Sequence, residues 1–130
     1  DMPPLGLREA ESRLLSSVVL VEDEPIVRRV AERALTEAGW RVAAFGTAED
    51  ALAMASVPDA VVADVTLPGM DGRALVAALR ARWPKLPAVL VSGYADSARQ
   101  ADPDAGKTVF LAKPYGLSDL VSALAASVRD

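Results

Sequence analysis

The hydrophobic positions of the chain fall into five short, nearly uninterrupted runs, separated by longer segments of mixed polarity. Runs of this length without polar alternation are typical of strands buried on both faces. Each run ends at Gly, Pro or charged residues, which mark turns. The pattern therefore predicts five strands, at Ser17–Val21, Arg41–Phe45, Ala60–Ala63 leading into Asp64, Pro87–Val91 and Thr108–Ala112.

The segments between the runs carry helix signals. Pro25 stands at a first helical position, Thr47 with Asp50 resembles a capping box with Asp in place of Glu, and Asp71 can cap a third helix. The predicted helices run from Pro25 to Gly39, from Thr47 to about Ser56, from Asp71 through Trp83, briefly within 95–106, and from about Leu117 onward.

Apolar residues at helical spacing predict the buried face of three of these helices. The first set is Ile26, Val27, Val30, Ala34, Leu35 and Ala38; the second is Leu75, Val76 and Leu79; the third is Leu117, Leu120, Val121, Leu124 and Val128. Strand and helix thus alternate five times. This alternation predicts a doubly wound α/β domain, with a parallel sheet, right-handed crossovers and helices on both faces.

Length and composition narrow the possibilities further. The 130 residues suffice for one domain, which we place at 18–130, after a linker or tail at 1–17 with a short helical turn at 8–15. A net charge of −4 argues against a nucleic-acid surface. The chain has no Cys and no His, which excludes thiolate and imidazole chemistry. No run approaches the roughly 20 residues of a membrane span, no signal peptide is visible, and the Asp at position 1 is compatible with a segment of a longer protein.

Polar side chains gather where the strands end. Glu22 and Asp23 follow the first strand, Asp64 ends the third, Ser92 the fourth and Lys113 the fifth. In open parallel sheets the functional crevice lies at the carboxyl ends of the strands, where the strand order reverses. With the order 2-1-3-4-5, the second strand is an edge and should contribute nothing, and it ends in Phe45-Gly46.

These residue types suit a phosphoryl group on a carboxylate. Three carboxylates in one crevice repel each other unless a cation lies among them, and an all-oxygen set favours Mg²⁺. Asp64 would be the nucleophile, while Lys113 and Ser92 would contact phosphoryl oxygens. Taken singly, the same residues have ordinary explanations, since acidic residues favour helix N-termini and Asp is common in turns.

Four motifs together resemble the receiver domain of response regulators in bacterial two-component signalling. They are VVLVEDEP (18–25), VVADVTLPGMDG (61–72), VLVSGYA (89–95) and FLAKPY (110–115). The resemblance implies a five-stranded flavodoxin-like fold and a phosphorelay function, in which a histidine kinase or histidine phosphotransfer domain phosphorylates Asp64. It also implies a cytoplasmic domain that is not itself an enzyme and dephosphorylates slowly.

The resemblance further assigns roles to individual residues. Asp23 and Asp64 would ligate Mg²⁺, Glu22 would act through a water, and the Thr66 backbone carbonyl would complete the metal shell. Ser92 and Lys113 would contact the phosphoryl group, and the Lys113–Pro114 bond would be cis. Phe110 would be the aromatic switch residue.

The chain departs from the family pattern at four places. Its acidic pair is Glu22-Asp23 rather than two Asp, and Phe110 lacks the hydroxyl of the commoner Tyr. Thr66 and Tyr94 flank the path of an attacking water, and residues 95–107 are rich in Gly, Pro and Asp. The SGYA segment and the loose segment after it resemble receivers attached to hybrid histidine kinases more than those of DNA-binding regulators.

Three other hypotheses were compared with this one. A haloacid-dehalogenase-type phosphatase needs a second Asp two residues after its nucleophile, where this chain has Thr66. A nucleotide- or flavin-binding domain needs a Gly-rich loop after the first strand, where Glu-Asp-Glu-Pro stands. A phosphorylation-independent docking module of receiver-like fold stays open as the alternative.

Overall fold

The computed structural model describes residues 16–54, 57–93 and 108–128. These residues form five strands and four helices, which alternate along most of the chain. The strands are β1 (Ser17–Val21), β2 (Arg41–Phe45), β3 (Ala60–Asp64), β4 (Ala88–Ser92) and β5 (Thr108–Ala112). The helices are α1 (Pro25–Glu37), α2 (Ala48–Leu52), α3 (Gly72–Arg82) and α4 (Leu117–Ser127).

The strands form one parallel sheet in the order β2-β1-β3-β4-β5. The predicted doubly wound α/β fold and its strand order are confirmed. The chain order reverses between β1 and β3, where Leu20 of β1 is paired with Ala44 on one side and Val62 on the other. The carboxyl ends of these two strands therefore lie side by side, at the point where ligands bind in sheets of this kind.

Alternate residues of the central strands point to opposite faces, and each face has its own apolar core. Val19 and Val21 pack with the helices α2 and α3, whereas Val18 and Leu20 pack with α1 and α4. Because helices cover both faces, the strands need apolar residues at every position. Each fully buried Leu or Val in these layers contributes about 1.5–3 kcal/mol through removal of apolar surface from water.

The helix α2 is shorter than predicted, because it ends at Leu52 rather than near Ser56. Its last carbonyls find other partners: the Arg82 guanidinium donates hydrogen bonds to the carbonyls of Leu52 and Met54, both at 3.4 Å. A side-chain cation from α3 thus stabilises the negative end of α2 in place of a further helical turn. The predicted cap is present, since the Thr47 hydroxyl accepts from the Asp50 amide at 3.1 Å.

The predicted buried stripes are only partly correct. Leu75, Val76 and Leu79 of α3 are buried, but four members of the other two sets are exposed: Ile26 (77%), Val30 (46%), Leu117 (43%) and Val128 (40%). The buried positions of α1 and α4 include Ala31, Leu35, Leu120, Ala123 and Leu124. The small Ala residues lie where helix and sheet approach closely, so the buried face is rotated away from Val30 and Leu117.

Some predictions fall outside the described residues. The helical turn at 8–15, the short helix within 95–106 and the position of Tyr94 are among them. The strand β1 begins at Ser17, inside the predicted tail. In the described ranges, no helix has the length and apolar character that a membrane span requires.

Candidate functional site

Three acidic side chains converge at the carboxyl edge of the sheet. Glu22 and Asp23 follow β1, and Asp64 is the last residue of β3. Each offers a carboxylate oxygen, and these oxygens lie within 4.8 Å of one another. Glu22 is 5% exposed and Asp64 4%, whereas Asp23 is open to solvent. An all-oxygen cluster of this kind fits a hard divalent cation such as Mg²⁺.

The only Lys predicted for the site pairs directly with the central carboxylate. The Lys113 ammonium donates a hydrogen bond to Asp64 Oδ2 and forms a salt bridge with it. The other carboxylate oxygen, Oδ1, accepts from the Thr66 amide at 3.0 Å. Burial alone would lower the pKa of Lys113, but its hydrogen bond to Asp64 and the charges of Asp64, Glu22 and Glu24 raise it overall. Lys113 is therefore a fixed cation in the crevice.

The positive charge of Lys113 does not balance the three carboxylates of the acidic cluster. Burial raises the pKa of Glu22 to about 7, against a hydrogen bond from the Glu24 amide that lowers it, and the carboxylates of Asp23 and Asp64 raise it further. Burial also raises the pKa of the Tyr115 hydroxyl, and the charge of Glu22 adds to that effect. The smaller part of each shift comes from neighbouring carboxylates, whose negative charge a bound cation would offset.

Ser92 brings a hydroxyl to the same edge. It is fully buried, and its Oγ has no hydrogen-bond partner among the described residues. A buried hydroxyl without a partner is unfavourable by about 1–3 kcal/mol, so such a group indicates a ligand or water at this position. The Ser92 carbonyl accepts from the Lys113 amide at 2.8 Å, which fixes the end of β4 beside the start of the Lys113 side chain.

A second buried hydroxyl without a described partner, Thr108 Oγ1, lies elsewhere. Thr108 is the first residue of β5 and Lys113 follows its last residue, so the two lie at opposite ends of the same strand. It does not belong to this site.

The loop after Asp64 returns tightly to the strand. The Gly72 amide donates to the Val65 carbonyl at 3.0 Å, and a Cβ on Gly72 would lie 2.2 Å from the Asp64 carbonyl oxygen. Only glycine allows this close approach of α3 to the end of β3. Asp71 caps α3 as predicted, accepting from the Ala74 amide at 2.8 Å.

Phe110, the predicted switch residue, lies in β5, the strand that pairs with β4. Phe110 of β5 is half-buried, pairs with Leu90 of β4 and packs against the core that α2 and α3 cover. The Arg73 guanidinium carbon is 5.5 Å from its ring centroid, within the range of a cation–π contact. The Lys113–Pro114 peptide bond is cis.

Thr66 is at the surface next to Asp64, and its amide donates to the Asp64 carboxylate. Metal coordination by its carbonyl stays a prediction, as do the roles of Ser92, Lys113 and Phe110.

Sequence reasoning missed one contact of the acidic cluster. Arg28 Nη1 in α1 donates a hydrogen bond to the Glu22 carbonyl at 2.8 Å. The sequence offers no motif for this contact, because Arg28 belongs to a run of exposed-looking charges on α1. Only the position of Arg28 in the first turns of α1, directly after the acidic pair, could have suggested this contact.

An apolar groove adjoins the crevice. It has a volume of about 700 Å³, and Lys113 and Glu22 form the end nearest Asp64. Its other walls come from α1 and from the segment between Pro114 and Leu117. We call its four outer residues, Ile26, Val30, Tyr115 and Leu117, the α1 face. Ile26 is 77% exposed.

A family model and a curated relative both match this chain in sequence. The family model described as "Response regulator receiver domain" matches residues 18–125. The C4-dicarboxylate transport transcriptional regulatory protein DctD of Rhizobium meliloti is 40% identical over 109 residues, which cover 81% of this chain and 24% of that protein. The chain thus spans about a quarter of this relative's length.

Solved structures show the same fold. A putative response regulator from Chloroflexus aurantiacus has 31% identity and a TM-score of 0.77, covering 87% of this chain and 97% of that one. TrrA, a response regulator protein of Thermotoga maritima solved in complex with Mg²⁺ and BeF, has 21% identity and a TM-score of 0.75, covering 87% and 99%. DctD is a transcriptional regulator, so the likeness to hybrid-kinase receivers stays a prediction. By its sequence motifs, its strand order and the match over residues 18–125, the chain belongs to the response regulator receiver domain family.

Proposed function

We propose that this domain accepts a phosphoryl group on Asp64, in a Mg²⁺-dependent transfer from a phosphohistidine of a histidine kinase or histidine phosphotransfer domain. The observation that carries the proposal is the contact of Asp64 with Lys113 and its clustering with two further carboxylates. The neighbouring strand β4 ends in Ser92, whose buried hydroxyl lacks a described partner. TrrA, which shares the fold, was solved with Mg²⁺ and BeF.

Asp23 and Asp64 would hold the metal directly, Glu22 through a water, and the Thr66 carbonyl would complete the set. Bound Mg²⁺ supplies positive charge that offsets the carboxylates and the phosphoryl oxygens. The three clustered carboxylates support this assignment, because like charges in one crevice repel each other unless a cation lies among them.

The residues of the chain perform the rest of the transfer. An Asp64 carboxylate oxygen attacks phosphorus, the oxygen–phosphorus bond forms, and the phosphorus–nitrogen bond to the donor imidazole breaks. Lys113 already contacts the Asp64 carboxylate and neutralises charge that the phosphoryl oxygens bring in. The Ser92 hydroxyl gains the hydrogen-bond partner that it lacks. Positioning and electrostatic stabilisation of this kind account for most of the catalysis in phosphoryl transfer.

The phosphorylated state would then act through packing. Ser92 is two residues beyond Leu90, whose partner in β5 is Phe110, so the hydroxyl and the aromatic ring belong to neighbouring strands on one face. A Ser92 drawn toward a phosphoryl group leaves space beside Phe110. Because Phe110 has no hydroxyl, its response would be a change of packing, including its contact with Arg73. The aspartyl phosphate would be lost by slow hydrolysis or by onward transfer of the phosphoryl group. The domain would act in the cytoplasm, where ATP-dependent kinases operate.

The α1 face would receive the partner. It is apolar, it borders the crevice through Lys113, and it leaves Ile26 and Val30 exposed. An exposed apolar patch beside a reactive group is typical of an interaction surface.

The test is phosphorylation by a small donor. The domain is incubated with Mg²⁺ and acetyl phosphate, and intact mass is recorded. We expect the mass of one added phosphoryl group in the native chain, and its loss in Asp64→Asn and in the presence of EDTA. Asp71→Asn is the matched control, because Asp71 caps α3 in the same loop and should leave the modification in place. A signal that survives Asp64→Asn would reject Asp64 as acceptor, and no modification by any phosphodonor would favour a docking module.

A further inference from the structure

Arg28 is joined to the acidic cluster through the main chain. It lies in the first turns of α1 and is half-buried, and its Nη1 reaches back to donate to the Glu22 carbonyl at 2.8 Å. A hydrogen bond from a charged donor is stronger than one between neutral groups. The contact therefore ties α1 to the turn that carries Glu22 and Asp23.

The same guanidinium also contacts the end of β2. A Cβ added to Gly46 would lie 3.1 Å from Arg28 Nη1, so the Arg28 side chain occupies the space above Gly46. Arg28 thus spans three segments: the helix α1, the turn after β1 and the turn after β2. None of these contacts involves a carboxylate.

Glu22 has few other restraints. Its amide donates to the Phe45 carbonyl at 3.0 Å, and its Oε2 accepts from the Glu24 amide at 3.1 Å. The side-chain contact is to the residue two positions on, which moves with the same turn. Among the described residues, Arg28 and Phe45 are therefore the groups outside this turn that hydrogen-bond the Glu22 main chain.

We propose that Arg28 is a positioning residue of the cation site, which holds the Glu22–Asp23 turn in the conformation that directs both carboxylates toward Asp64. This inference rests on the proposed function, since the site it serves is the proposed Mg²⁺ site. Residues behind metal ligands set metal affinity by fixing the ligands, and their loss weakens binding by about 10–100-fold.

The first measurement needs no metal. In EDTA, amide hydrogen exchange of Glu22 is compared between the native chain and Arg28→Met, which keeps an apolar stem and removes the donors. Without the Arg28 bond to its carbonyl, Glu22 should separate more often from Phe45, the partner of its amide, so exchange of this amide should speed by about tenfold while exchange in β3 and β4 stays unchanged. Arg29→Met is the matched control, because Arg29 is the next residue of α1 and is exposed.

The second measurement is a Mg²⁺ titration of the same proteins, followed by amide chemical shifts. We expect about tenfold weaker Mg²⁺ binding in Arg28→Met and a change of less than about twofold in Arg29→Met. Arg28→Lys restores a cation but not the planar fork and should fall between the two. If Arg28→Met does not fold, Arg28→Lys carries both measurements.

The outcomes separate the two proposals. Native Mg²⁺ affinity and native Glu22 exchange in both Arg28 variants would overturn the positioning role, even with phosphorylation of Asp64 intact. A uniform rise of exchange across the sheet would overturn it as well, because Arg28 would then act on global stability. If the native chain itself binds no Mg²⁺, the proposed function fails, and the exchange measurement still decides whether Arg28 fixes the Glu22 turn.

Discussion

Glu22 is the residue at which the electrostatics of the crevice are most visible. It is nearly inaccessible to solvent, it accepts a hydrogen bond from the Glu24 amide, and it faces two other carboxylates. Burial, with the charge of Asp64, raises its pKa from an ordinary 4.5 to about 7. A buried carboxylate without a full counter-charge is unfavourable once ionised, so the metal-free domain should lose stability as Glu22 ionises.

The sign of the pH dependence follows from the raised pKa. The folded state holds the Glu22 proton more tightly than the unfolded state, so the favourable contribution is complete below pH 4.5 and disappears as the pH rises through about 7. In EDTA, we expect the free energy of unfolding to fall by at most about 3 kcal/mol between pH 5 and pH 8. Urea denaturation across that range measures it.

The matched variants for this prediction are Glu22→Gln and Glu24→Gln. Glu22→Gln removes the titrating group and should flatten the profile, whereas Glu24→Gln, at the exposed neighbouring position, should keep it. A profile that stays steep in Glu22→Gln would assign the pH dependence to another group.

At the scale of secondary-structure elements, the joint between β3 and α3 decides where Asp64 lies. The strand ends at Asp64, the loop closes through the hydrogen bond from the Gly72 amide to the Val65 carbonyl, and α3 starts against the Asp64 main chain. The apolar residues Leu75 and Leu79 then fix the helix on the sheet. Asp64 is thus positioned by backbone contact between two elements, in addition to its own hydrogen bonds.

A methyl group at Gly72 should break this joint. In Gly72→Ala the new Cβ would lie 2.2 Å from the Asp64 carbonyl oxygen, a distance that forces the strand end and the helix apart. We expect a loss of about 1–3 kcal/mol in the free energy of unfolding, the usual range for overpacking. Phosphorylation by acetyl phosphate should slow by at least about tenfold, because Asp64 moves relative to Lys113.

Gly93→Ala is the control for this variant. Gly93 follows Ser92 at the same edge of the sheet, and no described atom lies within 4 Å of a Cβ built there. This substitution should change both quantities little. Equal behaviour of the two variants in urea denaturation and in phosphorylation would contradict the role given to Gly72.

For the whole molecule, the fold was predictable because the strands are almost continuously apolar and three of the four described helices carry a start signal. The continuous run at Val18–Val21 indicates burial on both faces, and Asp71 marks the start of α3 by its cap. The polar residues at four strand ends located the site for the same reason, since parallel strands bring their carboxyl ends together.

What the sequence did not reveal depends on contacts between distant elements. Arg28 looks like any exposed charge of an amphipathic helix until the Glu22 carbonyl is placed beside it. The carbonyl of Leu52, at the end of α2, accepts a hydrogen bond from Arg82, 30 residues further along the chain. Periodicity placed Val30 and Leu117 in the core, although both lie at the surface beside the crevice. Apolar periodicity cannot tell a core face from an interaction face, because both exclude water.

Val30 and Leu117, which periodicity placed in the core, belong to the α1 face with Ile26 and Tyr115. They therefore add to the apolar surface that a partner could contact. If a kinase binds there, the large exposed Ile26 should be a principal contact, since a few apolar anchors dominate most interfaces. Ile26→Arg should therefore slow phosphoryl transfer from a histidine kinase that phosphorylates the native chain by at least about tenfold. The rate with acetyl phosphate should stay within about twofold, because this small donor needs no docking surface.

Val57→Arg gives the matched control for Ile26→Arg. Val57 is another apolar residue with a largely exposed side chain, 55% accessible, but it lines a different groove, with Trp83 and Pro87. The same substitution there adds the same charge and removes a similar apolar surface, so it should leave transfer from the kinase unchanged. Equal slowing by both variants would point to net charge rather than to docking on the α1 face. Slowing with acetyl phosphate in Ile26→Arg would place the defect in the crevice, because Ile26 would then influence Asp64 itself.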